Sequence, residues 1–127
     1  MNCIVDDKRV VPVFSVKDLN EAKEYYINKL GFNLDCEFSS SNGFSNYIIV
    51  SYNYIVIHLS ESSVDAINAS MVFVEYSEVK GFYLALKNNF VDCFLSEFKF
   101  GDTDTICLEI SDPSGNKLKF CEPVEIS

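Results

Sequence analysis

The reactive side chains of this sequence are few, and their spacing limits the chemistry it can do. There is one histidine, His58, and there are five cysteines, Cys3, Cys36, Cys93, Cys107 and Cys121, with no C-x-x-C pair. A closed zinc site takes its Cys and His ligands in closely spaced pairs, which this chain lacks. Cys36, Cys93, Cys107 and Cys121 all fall in strand-like runs, where a thiol acts as a small hydrophobe. A cysteine nucleophile partnered by His58 would need a third group to orient the imidazole, and the sequence places none nearby. His58 alternates with Ile57 and Leu59. If those two face a helix, His58 turns the other way with Val56 and Ser60, free to be held by hydrogen bonds, to touch a ligand or to move a proton. Asp35 and Glu37 alternate with Leu34 and Cys36, as a solvated strand edge or as carboxylates that draw in a cation. Tyr47 shares a strand face with Ser45 and Ile49, which suits core packing or ligand stacking. Ser60, Ser70 and Lys119 add hydrogen-bonding capacity.

Charge narrows the partners. Nineteen Asp and Glu against ten Lys and Arg give a net charge of −9 and a pI near 4.4. A phosphate backbone would be repelled, so nucleic acid is not an expected partner, whereas a cationic small ligand would be attracted. The chain has 127 residues, 48% hydrophobic and 23% charged, which suits one packed domain and not a disordered chain. No apolar run approaches the ~18 residues needed to span a bilayer. The first residues lack the basic and apolar segments of a secretion signal, so a soluble, cytoplasmic protein without a membrane partner is expected.

The elements that must position these groups occur twice. Residues 9–15 (RVVPVFS) read as a strand, with Pro12 marking an edge or a crossing point. Asp18 is placed to cap a helix, with Glu21 three residues on, and Leu19, Ala22, Tyr26 and Leu30 form its apolar face. Gly31 is placed to end it in the left-handed conformation. Strands follow at 32–38, 44–50 and 53–60, with a turn at Asn42-Gly43, another around Ser51 and Tyr52, and a polar linker over 61–68. The order then repeats. Residues 70–76 read as a strand, Ser77 as a cap, and Val79, Phe82, Tyr83 and Leu86 as the apolar face of a helix ending near Asn88 and Asn89. Strands follow at 90–98, 103–111 and 117–121, the last two joined by the turn Asp112-Pro113-Ser114-Gly115-Asn116. Leu19 overlays Val79, Ala22 overlays Phe82 and Tyr26 overlays Leu86 at a constant offset of 60. Phe32 overlays Phe90 at 58, and Ile57 overlays Leu118 at 61. The expectation is one domain, residues 1–127, made of two duplicated modules at about 8–60 and 69–122. One helix covers only one face of each sheet. Two open faces curling together would make an apolar cleft, the usual form of a small-molecule site.

Three strings carry a resemblance to a known family: Val11-Pro12-Val13-Phe14-Ser15-Val16-Lys17-Asp18-Leu19, then Tyr25-Tyr26 through Leu30-Gly31-Phe32, and Asp112-Pro113-Ser114-Gly115-Asn116. Over roughly residues 8–122 the chain resembles the vicinal-oxygen-chelate superfamily, which includes glyoxalase I, extradiol dioxygenases, fosfomycin-resistance enzymes and bleomycin-resistance proteins. The resemblance implies an α+β fold of two tandem βαβββ modules, the glyoxalase/bleomycin-resistance fold, forming a curved mixed sheet around a cleft. The catalytic branches hold a divalent metal at positions that fall here on Val11, His58, Ser70 and Lys119, of which only His58 is a competent ligand. The metal-free bleomycin-resistance branch is the nearer likeness. It implies an acidic homodimer that sequesters a bulky cationic antibiotic without chemistry, with first-strand exchange at a proline matching Pro12. By position, Asp35 matches an acidic cleft residue, and Tyr47 and Phe73 match cleft aromatics. The stretch from 88 to 102 is shorter than in that branch, and the chain has no tryptophan. Stacking on a flat ligand then falls to Tyr and Phe.

These readings converge on a non-catalytic small-molecule binding protein, with antibiotic sequestration as its implied role. The expected ligand-binding residues are Asp35, Tyr47, His58, Ser60 and Phe73, with no cofactor, metal or catalytic residue. The alternative is a metal-dependent lyase or dioxygenase of the same superfamily.

Overall fold

The computed structural model describes residues 9–39, 45–62 and 69–124. The described chain runs through β1 (Val13–Val16), α1 (Leu19–Lys23) continued by a π-helical turn (Glu24–Lys29), β2 (Asn33–Ser39), β3 (Ser45–Tyr52) and β4 (Ile55–Glu61). It then runs through β5 (Met71–Glu75), α2 (Val79–Asn88), β6 (Phe94–Phe100), β7 (Thr103–Ser111) and β8 (Lys117–Pro123). The strands form two four-stranded mixed sheets of matching order, β1-β4-β3-β2 and β5-β8-β7-β6. In each, the strand before the helix pairs in parallel with the last strand, and the remaining pairs are antiparallel. This is an α+β fold of two tandem βαβββ modules. The two compact units are Met1–Ala69 with Asp112–Ser114, and Ser70–Ser111 with Gly115–Ser127. No described helix is long and apolar enough to cross a membrane.

In each unit the helix packs on one sheet face, and the overlaid pairs sit at matching core positions. Leu19 and Val79, Ala22 and Phe82, Tyr26 and Leu86, and Ile57 and Leu118 are all buried. Phe14, Ile48, Val50 and Leu59 complete the first core; Phe120, Leu108 and Ile110 complete the second. In the second core the rings of Phe82 and Phe120 meet edge-on, with centroids 5.0 Å apart. The Asp112 turn belongs to the first unit. There the fully buried Tyr26 hydroxyl donates to Asp112 Oδ2 at 2.8 Å, and the Lys17 N–H donates to Ser114 Oγ at 3.0 Å. Burial, reinforced by the Asp112 carboxylate, holds the Tyr26 phenol protonated far above its ordinary range.

The start of α1 follows its sequence. Asp18 Oδ1 accepts from the Asn20 and Glu21 N–H groups at 2.9 and 3.3 Å. The Leu19 N–H donates to Glu61 Oε2 at 2.8 Å. In the second unit the cap is not Ser77. Glu78 is the N-cap residue and makes no side-chain capping bond; the Val79 N–H instead donates to Glu122 Oε1 at 3.3 Å. Glu61 and Glu122, at the ends of the last strands, thus satisfy the same helix donor in both modules. Each also places negative charge near a helix N-terminus.

Other differences from the expected elements have local causes. The π-helical turn closes through the Leu30 N–H bonding the carbonyl of Tyr25, and Gly31 then takes φ +86° as expected. Phe90 is not a strand residue. It occupies the left-handed position after α2, with φ +58°, and β6 starts only at Phe94. The structural counterpart of Phe32 is therefore Val91, which is likewise buried. Ser51 and Tyr52 belong to β3, and the turn lies at Asn53 and Tyr54, with Asn53 at φ +53°. Residues 9–12 precede β1 instead of forming part of it. Cys107 and Cys121 face each other across β7 and β8 and form a disulfide, and Cys36 is also disulfide-bonded, so these three are not packing thiols. Cys93 is a free, half-buried thiol just ahead of β6, and burial pushes its pKa up. The Asn42-Gly43 turn and most of the 61–68 linker lie outside the described residues.

Candidate functional site

The face of the first sheet opposite its helix gathers three of the residues singled out from sequence. Antiparallel pairing of β3 and β4 sets Tyr47 opposite Ser60 and Ile49 opposite His58. On the other side of β4, parallel pairing sets Val13 beside His58, and the His58 N–H donates to the Pro12 carbonyl at 3.0 Å. Ile57 and Leu59 are buried toward the helix, so His58 and Ser60 turn away from it, as alternation requires. The Tyr47 hydroxyl lies 2.6 Å from His58 Nδ1, and the two rings stand nearly perpendicular with centroids 5.4 Å apart. Phe38, opposite Tyr47 on β2, meets the tyrosine ring edge-on at 5.9 Å.

Partial burial sets the protonation of this pair. It pushes the Tyr47 phenol up and the His58 imidazole down, so both groups are neutral near pH 7. With the imidazole proton on Nε2, the Tyr47 O–H donates to Nδ1; in the other tautomer the roles invert. Either way one ring nitrogen is taken by the phenol and the other is left for a ligand or water. The pair offers two ring faces, one hydrogen-bonding nitrogen and no formal charge.

Asp35 and Glu37 do not share a face as simple alternation implied. A register shift lies between Leu34 and Cys36, making Asp35 the extra residue of a bulge, and it is exposed there. Glu37 is turned toward the helix, where its carboxylate takes the Lys23 ammonium at 2.6 Å. Among the described residues no hydrogen bond or ion pair joins Asp35 to Tyr47 or His58. Phe73 belongs to the second unit. It is 49% exposed and lines an open-sided cavity of about 300 Å³ with Glu75, Thr103, Thr105, Cys121 and Pro123.

Sequence reasoning missed Phe38 and most of this lining. Phe73 and Glu75 are two residues apart on one strand, as are Thr103 and Thr105, so strand alternation carried the signal. Their meeting depended on the β5-β8-β7 order.

The superfamily's metal positions test poorly on this chain. Val11 has no donor atom. Ser70 offers only a neutral hydroxyl, a poor ligand, and the Lys119 ammonium lies over the Phe98 ring, 4.6 Å from its centroid. Only His58 offers a ligand of the right chemistry, and its Nδ1 is bonded to Tyr47. Among the described residues no three His, Cys, Asp or Glu side chains converge. This donor set does not fit a catalytic divalent ion.

Two βαβββ modules, each opening a sheet face away from its helix, define a fold class that unites metalloenzymes and binding proteins. The family model described as glyoxalase superfamily protein matches residues 2–127, and the chain belongs to that family. No curated protein matches the sequence. Three solved structures illustrate the likeness. A glyoxalase/bleomycin resistance protein/dioxygenase from Alicyclobacillus acidocaldarius is 17% identical, covering 94% of this chain and 93% of its own, with a TM-score of 0.72. A glyoxalase-related enzyme from Clostridium phytofermentans is 16% identical over 94% and 98%, with a TM-score of 0.73. An antibiotic binding protein from Streptomyces sp. CB03234 is 18% identical over 94% and 100%, with a TM-score of 0.64. At these identities the likeness establishes the fold and not the ligand.

Proposed function

We propose that this protein captures a small molecule without transforming it, using the open face that carries Tyr47, His58 and Ser60. One observation carries the reading: the histidine at a superfamily metal position is hydrogen-bonded to a phenol, in a neutral pair flanked by Phe38 and Val13. A metal centre needs further nitrogen or carboxylate donors around that imidazole. A general base needs a group that orients the ring and raises its basicity, whereas burial lowers the pKa of this one. An aromatic platform with one hydrogen-bonding nitrogen suits recognition, each well-placed ring contact contributing about 0.5–1.5 kcal/mol.

The similar Streptomyces protein named for antibiotic binding supports an antibiotic as the captured molecule. Capture by a homodimer, each chain a single domain with its cleft near the subunit contact, completes the proposal. Asp35 belongs to it as a rim carboxylate of that cleft. In this structure β1 pairs with β4 of its own chain. Exchange of the first strand about Pro12 would place the same parallel pairing between protomers.

Thermal denaturation against a panel of cationic and neutral antibiotics, with and without EDTA, tests the reading. The expected result is a midpoint rise for at least one compound that EDTA leaves unchanged. Tyr47→Phe, which removes the bond that orients the imidazole, and His58→Ala, which removes the nitrogen left for the ligand, should each weaken that compound about three- to tenfold. A midpoint that rises only with a divalent ion, or turnover abolished by EDTA, would replace capture with metal-dependent catalysis.

A further inference from the structure

We propose that the Tyr47–His58 pair is a hydrogen-bond donor site, and that the group it holds is the carbonyl oxygen of a neutral aromatic ring system. The proposal rests on the reading of this protein as a capture protein and assigns a ligand class to that same face. The direction of the bond within the pair decides the matter. A phenol is a stronger acid than a neutral imidazole N–H, and an imidazole nitrogen is a stronger base than a phenol oxygen, so the favoured bond runs from the Tyr47 hydroxyl to His58 Nδ1. Its length agrees. Bonds from hydroxyl donors span about 2.5–3.0 Å and those from N–H donors about 2.7–3.2 Å, and this one is 2.6 Å. The opposite direction would leave the Tyr47 O–H in need of another acceptor, and among the described residues none is bonded to it. With Nδ1 accepting, the imidazole proton sits on Nε2, at the far side of the ring from the phenol, and is offered outward as a donor.

The donor selects the group that lies on it. An N–H presents the positive end of its dipole, so it turns away an ammonium and takes an oxygen acceptor. A carboxylate could accept this bond, but it would enter a protein of net charge −9 and find no cation bonded to the pair. A neutral carbonyl meets neither obstacle. The rings select the rest of the ligand. Phe38, Tyr47 and His58 follow one another across β2, β3 and β4, each edge-on to the next, with centroids 5.9 and 5.4 Å apart. Val13 lies beside His58 on β1. Phe38 and Val13 are 47% and 51% exposed, apolar surface that a flat ring would cover. Ser60, opposite Tyr47, adds a hydroxyl that can donate or accept.

His58 is the chain's one histidine, so its two ring nitrogens give a single pair of signals in a long-range proton–nitrogen correlation spectrum of the full-length protein. At pH 8 the expected pattern is a protonated Nε2 and an unprotonated Nδ1. Coumarin, a flat neutral ring system with a carbonyl, is the ligand probe. Indole, similar in shape but carrying an N–H donor and no oxygen, is its counterpart. Coumarin should move the Nε2 signal and bind with a dissociation constant on the order of a millimolar, given its size. Indole should bind about three- to tenfold more weakly, the scale of one neutral hydrogen bond, and His58→Phe, which keeps a ring and removes the N–H, should erase that preference. The nitrogen pattern and the coumarin-to-indole ratio are read on the unaltered protein, so the test does not hang on the variant folding. A protonated Nδ1, equal binding of indole, a preference that survives His58→Phe, or no saturable binding of coumarin overturns the proposal. If that happens while an antibiotic still stabilises the protein and responds to Tyr47→Phe, only the ligand class falls and the capture reading stands. If no compound stabilises the protein at all, both fall.

Discussion

A phenol and an imidazole 2.6 Å apart on a strand pair have a consequence for stability as well as for binding. Burial lowers the His58 pKa below its ordinary 6.5, so around that value the unfolded chain binds a proton more readily than the folded one. Stability then rises with pH. The contribution of His58 is complete above pH 6.5 and is lost as the pH falls through the lowered folded value. Urea denaturation between pH 7.5 and 5 should show the wild-type protein losing more stability than His58→Gln, because the variant lacks this proton uptake. Equal slopes for the two proteins would mean that the imidazole is solvated as freely when folded as when unfolded. The orientation of His58 was legible in the sequence, because Ile57 and Leu59 fix the alternation of β4. Its bond to Tyr47 was not legible, since that depends on a cross-strand register set by the turn at Asn53, which sequence reasoning had placed two residues too early. The place of Asp35 was hidden for a similar reason. A bulge leaves no mark in a run that alternates as cleanly as Leu34-Asp35-Cys36-Glu37.

At the scale of elements, the duplication was readable wherever both copies used the same residue chemistry and obscure wherever they solved one problem differently. The buried helix positions repeat at 60 because both helices must cover a four-stranded sheet with three or four apolar groups. The helix stops do not match by type. The first module uses Gly31 at φ +86°, whereas the second puts Phe90 at φ +58°, its side chain 92% exposed. A non-glycine residue in the left-handed region costs about 1–2 kcal/mol, and this ring recovers little of that by packing. Phe90→Gly should therefore stabilise the protein by about 1 kcal/mol, the added backbone freedom of glycine offsetting part of the gain. Gly31→Ala should cost about the same. An added Cβ there would meet Tyr52 Cε2 at 4.0 Å, an ordinary contact, so the penalty comes from the backbone alone. Opposite signs from these two substitutions in urea midpoints would confirm the shared stop. A destabilised Phe90→Gly would show that the exposed ring packs against something in solution. The caps follow the same pattern. Asp18 was legible because it sits three residues from Glu21, but Glu61 and Glu122 reach their helices from strand ends 42 and 43 residues away. Only an overlay carried to the ends of β4 and β8 would have found them.

For the molecule as a whole, the dominant electrostatic fact is an excess of nine negative charges. Three ion pairs work against it among the described residues: Lys23 with Glu37 at 2.6 Å, Lys99 with Asp104 at 3.5 Å, and Lys117 with Glu109 at 3.9 Å. Such pairs, partly or largely exposed, are worth about 0–1 kcal/mol each, and salt screens them. Self-repulsion of the excess charge acts over the whole surface, and salt screens that too, the Debye length falling from about 30 Å at 0.01 M to about 8 Å at 0.15 M. The two effects oppose each other. Because nineteen acidic residues stand against ten basic ones, repulsion across the surface outweighs these pairs, and sodium chloride raised from 0.01 to 0.3 M should lift the thermal midpoint by a few degrees. The same change should weaken capture of a cationic ligand while leaving a neutral one nearly untouched, because attraction to the acidic surface is screened but apolar burial is not. Stability and cation affinity should thus move in opposite directions along one salt series. A midpoint that falls with salt would mean that the acidic residues are arranged in favourable networks and not in mutual repulsion. A cation affinity that holds constant would place the binding energy in apolar contact alone.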